Sequence, residues 1–184
     1  AIFHALTSPF AVNDINLRLN AVFGSSEAER SIVRSYLHVN AADLTFNKEP
    51  DGQYTTKFDL LAYTFGDNGM PVDQLANTHT LIIKEQEYKN IREKGFVYNF
   101  SFPVKKSGGY QMRVAIRDTV SNKVGSANQF IEVPNLKKNR LTMSGMVLES
   151  MKVEQWRKIN ADPDAYAEVR KETDPMTDTS LRQF

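Results

Sequence analysis

The sequence predicts an all-β fold, an antiparallel β-sandwich of about seven strands with a partly helical C-terminal extension. Apolar and polar residues alternate with period two through residues 11–134, as they do on strands with one buried and one solvent-exposed face. Polar, often glycine-containing turns interrupt this alternation at regular intervals. After Pro134 the apolar spacing becomes helical. We therefore place the sandwich at 11–134, a lead-in at 1–10, and a linker with a partly helical extension at 135–184.

The first half of the sandwich predicts three strands and a hairpin. The alternation runs through residues 15–21, then through 32–39, and then through 55–65. The third strand stops at Gly66-Asp67-Asn68-Gly69, where the Asn-Gly pair tolerates the positive φ angles of a tight reversal. We therefore expect a returning strand at 78–84.

The second half contains the strongest alternation. Residues 85–95 are polar and predict a loop or a single helical turn, and the alternation then resumes at 96–104 and at 110–117. The segment 105–109 predicts a hairpin turn, and a last strand is expected at 124–133. About seven short strands at this spacing are typical of an immunoglobulin-like or fibronectin type III-like sandwich.

The C-terminal extension has the spacing of helices. Apolar residues recur at helical intervals from 151 to 159, and Asp162-Pro163-Asp164 offers an N-cap followed by proline at the start of a helix at 165–171. The acidic residues of this tail lack the spacing of an EF-hand loop. They favour a helix end and a solvated face over a calcium site.

The composition argues against several classes of function. A net charge of +1, from 23 basic and 22 acidic residues, gives no field that attracts a phosphate backbone, so no nucleic acid partner is expected. No stretch approaches the roughly 20 apolar residues of a membrane helix, so no membrane insertion is expected. The chain has no cysteine, and His4, His38 and His79 lack the spacing of metal ligands. We predict no metal site and no cofactor.

No catalytic residue is predicted either. The Gly-x-Ser-x-Gly motif of a nucleophile elbow does not occur, and Gly108-Gly109 lacks the downstream glycine, lysine and helix of a phosphate loop. The carboxylate pair of a glycoside hydrolase needs only to be close in space, so the sequence leaves that arrangement open. A hydrolase is the least favoured function.

Three residues of the strand at 110–117 are candidates for specific roles. Tyr110 starts the penultimate predicted strand, where Greek-key sandwiches place a tyrosine whose ring is buried and whose hydroxyl bonds to nearby backbone. We predict this structural tyrosine corner over an exposed aromatic at a binding surface. Arg113 and Arg117 lie on the opposite face of the strand. We expect the two arginines to keep that face soluble rather than to bind a carboxylate ligand.

Four further aromatic residues are candidates for stacking on a carbohydrate. Sandwich modules that bind sugars use exposed rings on one sheet face or in loops. The candidates are Tyr54, Tyr63, Tyr88 and Trp156. Two or more coplanar, solvent-exposed rings would favour this function.

Residues 109–118, Gly-Tyr-Gln-Met-Arg-Val-Ala-Ile-Arg-Asp, and 123–134, Lys-Val-Gly-Ser-Ala-Asn-Gln-Phe-Ile-Glu-Val-Pro, carry a resemblance. They resemble the segment downstream of the von Willebrand A domain in bacterial VWFA-related domain proteins of the kind found in acidobacteria. The resemblance implies a sandwich in an exported protein that is periplasmic, secreted or displayed on the cell surface. The Asp-x-Ser-x-Ser motif of the adhesion domain itself is absent here. No functional residue therefore carries over.

The sequence thus favours a non-catalytic structural or protein-interaction module of a larger exported bacterial protein. Its expected partners are neighbouring domains of the parent chain or another protein, which such a module would meet through an exposed sheet edge or its end loops. The alternative is a carbohydrate-binding β-sandwich module.

Overall fold

The described part of the chain contains two antiparallel sheets. The structure, a computed structural model, describes residues 2–24, 31–104, 106–135, 141, 143 and 153–162. The smaller sheet consists, in spatial order, of β1 (Leu17–Gly24), β2 (Ile32–Val39) and β6 (Phe96–Pro103). The larger sheet has five strands, which are β3 (Asn47–Lys48), β4 (Tyr54–Gly66), β5 (Pro71–Ile83), β7 (Gly108–Asp118) and β8 (Val124–Val133).

The strand β4 is the centre of the larger sheet. It pairs along one edge with β5, and along its other edge with the short β3 and with β7, which in turn pairs with β8. Phe58, for example, lies between His79 of β5 and Asp118 of β7. The predicted hairpin after residue 65 joins β4 to β5.

The inward faces of the two sheets form one hydrophobic core. Within β4, alternate residues such as Phe58 and Leu60 are buried, as the period-two pattern predicted. Each fully buried aliphatic or aromatic side chain stabilises the fold by roughly 1.5–3 kcal/mol. Completely buried members of the core include Ile15, Val33, Leu37, Val39, Met112, Val114 and Ile116. The predicted all-β sandwich is confirmed.

The N-terminal segment packs on the outer face of the larger sheet. Its helix α1 (Ile2–Thr7) buries Ala5 and Leu6 against Ala115 and Val124, which form a second, smaller apolar cluster. The sequence pattern assigned this face of the sheet to solvent. That expectation is wrong where α1 covers it, because Ala115 is fully buried.

Two elements are longer than the sequence predicted. The strand β5 begins at Pro71 rather than near Thr78, because its main chain pairs with β4 along almost the whole hairpin even where its side chains are polar and exposed. The segment after β5 forms α2 (Glu85–Lys94), a ten-residue helix, where a loop or a single turn was expected. Acidic residues in its first turn and basic residues in its last complement the helix dipole. Gly95 ends it with a φ of 76°.

The predicted hairpin turn at 105–109 is wrong. The strands on either side of it, β6 and β7, lie in different sheets, so the connection crosses from one sheet to the other. Two successive strands of strong alternation look alike whether they pair with each other or face each other across a core. Gly108 and Gly109 belong to β7 itself.

The chain divides into two units, Ala1–Gly145 and Met146–Phe184, and the sheets lie in the first. In the second unit the described residues include helix α3 (Val153–Ala161), which falls where the apolar spacing predicted a helix. The helix predicted at 165–171 lies outside the described residues. No helix within the described ranges is long and apolar enough to cross a membrane.

Candidate interaction surface

Tyr110 is buried at the start of β7, with 7% of its surface exposed. Its hydroxyl donates a hydrogen bond of 2.7 Å to the carbonyl oxygen of Lys106, four residues upstream. Burial raises the pKa of Tyr110, so the hydroxyl keeps its proton and remains a donor. A buried ring and a bond to upstream backbone are the two contacts that a tyrosine corner requires.

Arg113 is bound within the molecule rather than left in solvent. Its guanidinium donates to the carbonyl oxygens of Leu6 and Thr7 at 3.3 and 3.2 Å, at the C-terminal end of α1. It also donates to the side chain of Gln111 and lies 5.3 Å from the ring centre of Phe65. Arg113 therefore holds α1 on the sheet and has little capacity left for a ligand.

Arg117 forms an ion pair on the same face of β7, separate from the contacts of Arg113. Its guanidinium donates to one carboxylate oxygen of Asp59 on β4 through two nitrogens, at 3.1 and 2.5 Å. The hydroxyl of Thr78 donates to the other oxygen at 2.7 Å. The Thr78 hydrogen bond and then Arg117 hold the pKa of Asp59 below its ordinary value. The carboxylate that Arg117 binds thus belongs to this chain.

Tyr54 and Tyr88 stack on each other. Their ring centres are 3.6 Å apart and their planes differ by 4°. The ammonium group of Lys48 lies 5.4 Å from the centre of the Tyr54 ring, and Phe46 packs edge-on against Tyr88. The two tyrosines join α2 to the start of β4. Because each ring uses one face on the other, they do not form the side-by-side platform on which a sugar stacks.

Tyr63 and Trp156 have other surroundings. The ring centre of Tyr63 lies 6.0 Å from that of Phe65 and 6.4 Å from that of Phe3, so its half-buried ring already has neighbours from its own strand and from α1. Trp156 is 58% exposed on α3, in the second unit. Of the three predicted stacking residues in the first unit, Tyr54 and Tyr88 are in contact with each other.

Asp118 is a structural residue that the sequence analysis missed. Its side chain is completely buried at the end of β7 and accepts hydrogen bonds from the main-chain N–H groups of Thr45, Val120 and Ser121 at 2.5, 2.8 and 2.9 Å. Burial alone would raise the pKa of Asp118, but these donors outweigh burial and hold it below its ordinary value. The sequence could have indicated its role in the turn, because aspartate is common at the first position of a turn. Nothing in the sequence indicated its bond to Thr45, which is 73 residues away.

The histidines occupy separate places in the structure. His38 is buried, and its Nε2 donates to the carbonyl oxygen of Lys94 at the end of α2, at 2.7 Å. His79 of β5 packs against Tyr98 and Phe58, with ring centres 4.6 and 5.5 Å away. The described residues contain no group of three or more His, Asp or Glu side chains that would hold a metal ion. Most acidic residues of the tail lie outside those ranges.

The side of the sandwich where β1 meets β8 is closed. The side-chain amide of Gln129 accepts a hydrogen bond from the N–H of Ala21 at 2.7 Å and donates one to its carbonyl oxygen at 3.0 Å, which occupies the edge of β1. Residues 12–15 run along β8, and a side chain at Gly125 would overlap the carbonyl oxygen of Ile15. A further strand therefore has no free main-chain partner at these points.

The opposite side of the sandwich, formed by β5 and β6, is open. Among the described strands β5 pairs only with β4, and β6 pairs only with β2. Within the described residues the main chain of β5 makes no backbone–backbone hydrogen bond beyond that pairing. Described side chains bond to it only near its start, where the N–H of Gln74 donates to Asp73 and the carbonyl oxygen of Asp73 accepts from Thr64. Every second residue of such an edge strand presents its N–H and C=O to solvent.

The strand β5 also lacks the devices that usually protect an edge. It is 13 residues long, and Asp73 is its only charged residue. Its proline is at the first position, and the one shift in its pairing lies at the same end, so neither interrupts the strand. The apolar side chains of Val72 and Ile82 are 51% and 61% exposed near its two ends. Natural edges are normally blocked by lysine, proline, bulges or short length. We call the edge of Pro71–Ile83 that is not paired with β4 the β5 edge.

Comparisons with known proteins give weak structural matches. No family model matches the chain, and no curated protein matches it. A solved β-glucuronidase of Bacteroides uniformis matches with 17% identity and a TM-score of 0.38 over 64% of this chain and 13% of that chain. The β-glucuronidase 2 of Bacteroides uniformis, covalently bound to cyclophellitol-6-carboxylate aziridine, matches with 15% identity and a TM-score of 0.36 over the same shares, 64% and 13%. The chain therefore spans about an eighth of the enzymes it matches, and no activity follows for it.

Proposed function

We propose that the first unit is a non-catalytic protein-interaction module that binds an extended segment of a partner along the β5 edge. In this mode a partner strand adds to the exposed edge of a sheet, main-chain hydrogen bonds supply the affinity, and alternate side chains supply the specificity. The single observation that supports the proposal is the asymmetry of the sandwich. One side is closed by Gln129 and residues 12–15, while the other exposes a long, nearly uncharged strand.

The parent protein belongs to the same proposal. The resemblance of residues 109–134 supports a larger exported bacterial protein of the VWFA-related kind, in the periplasm, at the cell surface or secreted. A three-stranded sheet facing a sheet with β5, β4, β7 and β8 in sequence supports an immunoglobulin-like arrangement. A genomic parent sequence without an export signal would contradict the location.

Selection of peptides tests the interaction. A displayed library of random ten-residue peptides is selected on the purified chain, and the binders are measured against the variant Asn77→Lys. Asn77 is exposed and lies opposite the inward-facing Leu60, so the variant places a lysine on the inner side of the β5 edge without disturbing the core. We expect peptides with alternating apolar residues and a roughly tenfold loss of affinity in the variant.

The matched control is Asn99→Lys. Asn99 is exposed on β6, the other edge of the open side, and the variant adds the same charge there. We expect it to leave peptide affinity within about twofold of the unmodified chain. Peptides that bind both variants and the unmodified chain equally well would show that the β5 edge is not the binding site. Binding of a glycan array, with loss on Tyr63→Ala or Trp156→Ala, would favour the carbohydrate-binding alternative.

A further inference from the structure

The β5 edge carries a pattern that is complementary to itself. From Gln74 to Ile83 it contains no Asp, Glu, Lys or Arg, so two copies can approach edge to edge without repulsion between like charges. Its inner-face residues are, in order, Leu75, Asn77, His79 and Leu81. Apolar residues therefore flank a polar pair.

One antiparallel register matches these residues. When Thr78 lies opposite Thr78 of a second copy, Leu75 lies opposite Leu81 and Asn77 lies opposite His79. Shifting the register by two residues in either direction places Leu75 or Leu81 opposite a polar side chain. Because directly opposed residues point to the same face of an antiparallel sheet, this register also keeps the inner faces of both copies on one side.

His79 supplies a second observation at the same place. Its Nε2 atom is buried and has no hydrogen-bond partner, although buried polar atoms are nearly always paired. In the matched register the side chain of Asn77 from the second copy lies opposite His79, with Cβ atoms about 4.5–5.5 Å apart.

We propose that the occupant of the β5 edge is a second copy of this chain, which joins the two larger sheets through antiparallel β5 strands centred on Thr78. The inference rests on the proposed function and identifies its partner. The two-fold axis then passes between the Thr78 residues, and each His79 lies opposite Asn77 of the other copy.

Single-cysteine variants test the register, since the chain has no cysteine of its own. In Thr78→Cys the two introduced residues would face each other with Cα atoms about 4.5–5.5 Å apart, within the range of a disulfide. In Thr80→Cys, another exposed threonine on the same face is replaced, but its counterpart is displaced by four residues, about 13 Å along the strand. We expect Thr78→Cys to cross-link at least tenfold faster under mild oxidation, read on non-reducing gels.

Sedimentation equilibrium of the unmodified chain tests the association itself. We expect a monomer–dimer equilibrium, at least tenfold weaker in Asn77→Lys and unchanged in Asn99→Lys. Equal cross-linking of the two cysteine variants, or a dimer that Asn77→Lys does not weaken, would overturn the pairing. A chain that is monomeric at every concentration but binds selected peptides at the β5 edge would refute self-pairing and retain the proposed function. A chain that does neither would refute both.

Discussion

Asp118 offers the sharpest test of how the end of the sandwich is held together. Of the acidic residues that the structure describes, only Asp118 is buried. Its bond to Thr45 joins two segments that are 73 residues apart in sequence. One carboxylate oxygen accepts from Val120 and Ser121, and the other accepts from Thr45. The perturbation is Asp118→Asn, which keeps the shape of the side chain and removes its charge.

The magnitude follows from these three bonds. An asparagine still accepts from Val120 and Ser121 with its one oxygen, but its NH₂ group then points at the N–H of Thr45, so that bond is lost. A hydrogen bond to a charged group contributes about 1.5–3 kcal/mol, and a buried donor without a partner costs about 1–3 kcal/mol. Because Thr45 is only partly buried, we use the lower part of these ranges and expect the free energy of unfolding to fall by about 2 kcal/mol. The melting temperature should fall by roughly 4–8 °C.

The same bonds set a pH dependence. The folded pKa of Asp118 lies below its ordinary value of 3.8, so between these two values the unfolded chain binds more protons than the folded one. The stabilisation is fully present above pH 4 or so and is lost as the pH falls through the folded pKa. The difference in unfolding free energy between the unmodified chain and Asp118→Asn should therefore shrink below about pH 4.

The assay is urea unfolding followed by far-UV circular dichroism, because this signal comes from the strands themselves, whereas the single tryptophan, Trp156, lies in the second unit. Asp67→Asn is the matched control, since Asp67 is exposed in the turn between β4 and β5, and it should change stability by less than about 0.5 kcal/mol. If Asp118→Asn were as stable as the unmodified chain at pH 7, or if their difference were the same at pH 3, the reasoning would fail.

Two further predictions concern β7. Tyr110→Phe removes the hydrogen bond to Lys106 and should lower the free energy of unfolding by about 1 kcal/mol in urea titrations. Tyr63→Phe, which loses a hydroxyl without a hydrogen bond in the described structure, should be neutral, and equal effects would contradict the tyrosine corner. Arg113→Ala should raise amide hydrogen exchange in α1 by about tenfold while leaving β7 unchanged, because Arg113 binds the last carbonyls of α1. Unchanged hydrogen exchange in α1 would mean that its apolar contacts alone hold the helix on the sheet.

Most strands could be predicted from the sequence because the period of the side chains in a strand is also the period of burial. The alternation at 96–104 and 110–117 located β6 and β7 within a few residues. The same signal failed for the first half of β5, where Asp73 to Asn77 pair with β4 through the main chain and carry mostly exposed side chains. Hydrogen bonding of the main chain leaves no mark on the residue types.

The sequence could predict that an exposed sheet edge exists, but not which strand forms it. An exposed sheet edge is expected of any open sandwich, but which edge stays free depends on Gln129 reaching Ala21 and on residues 12–15 meeting β8. These contacts join residues more than a hundred positions apart. Arg113 and Arg117 were correctly placed on the outward face, yet their partners, α1 and Asp59, come from distant parts of the chain.

The sequence by itself determined the all-β class, most of the strands, their inward residues and the absence of cysteine chemistry, because these depend on local periodicity and composition. The tertiary structure alone decided that β6 and β7 belong to different sheets, that α1 covers an outward face, that Asp118 joins two loops, and that β5 is left open. The physical reason is that burial repeats along the chain and can be read locally. The partner of a strand or a side chain depends on how distant segments close around one core.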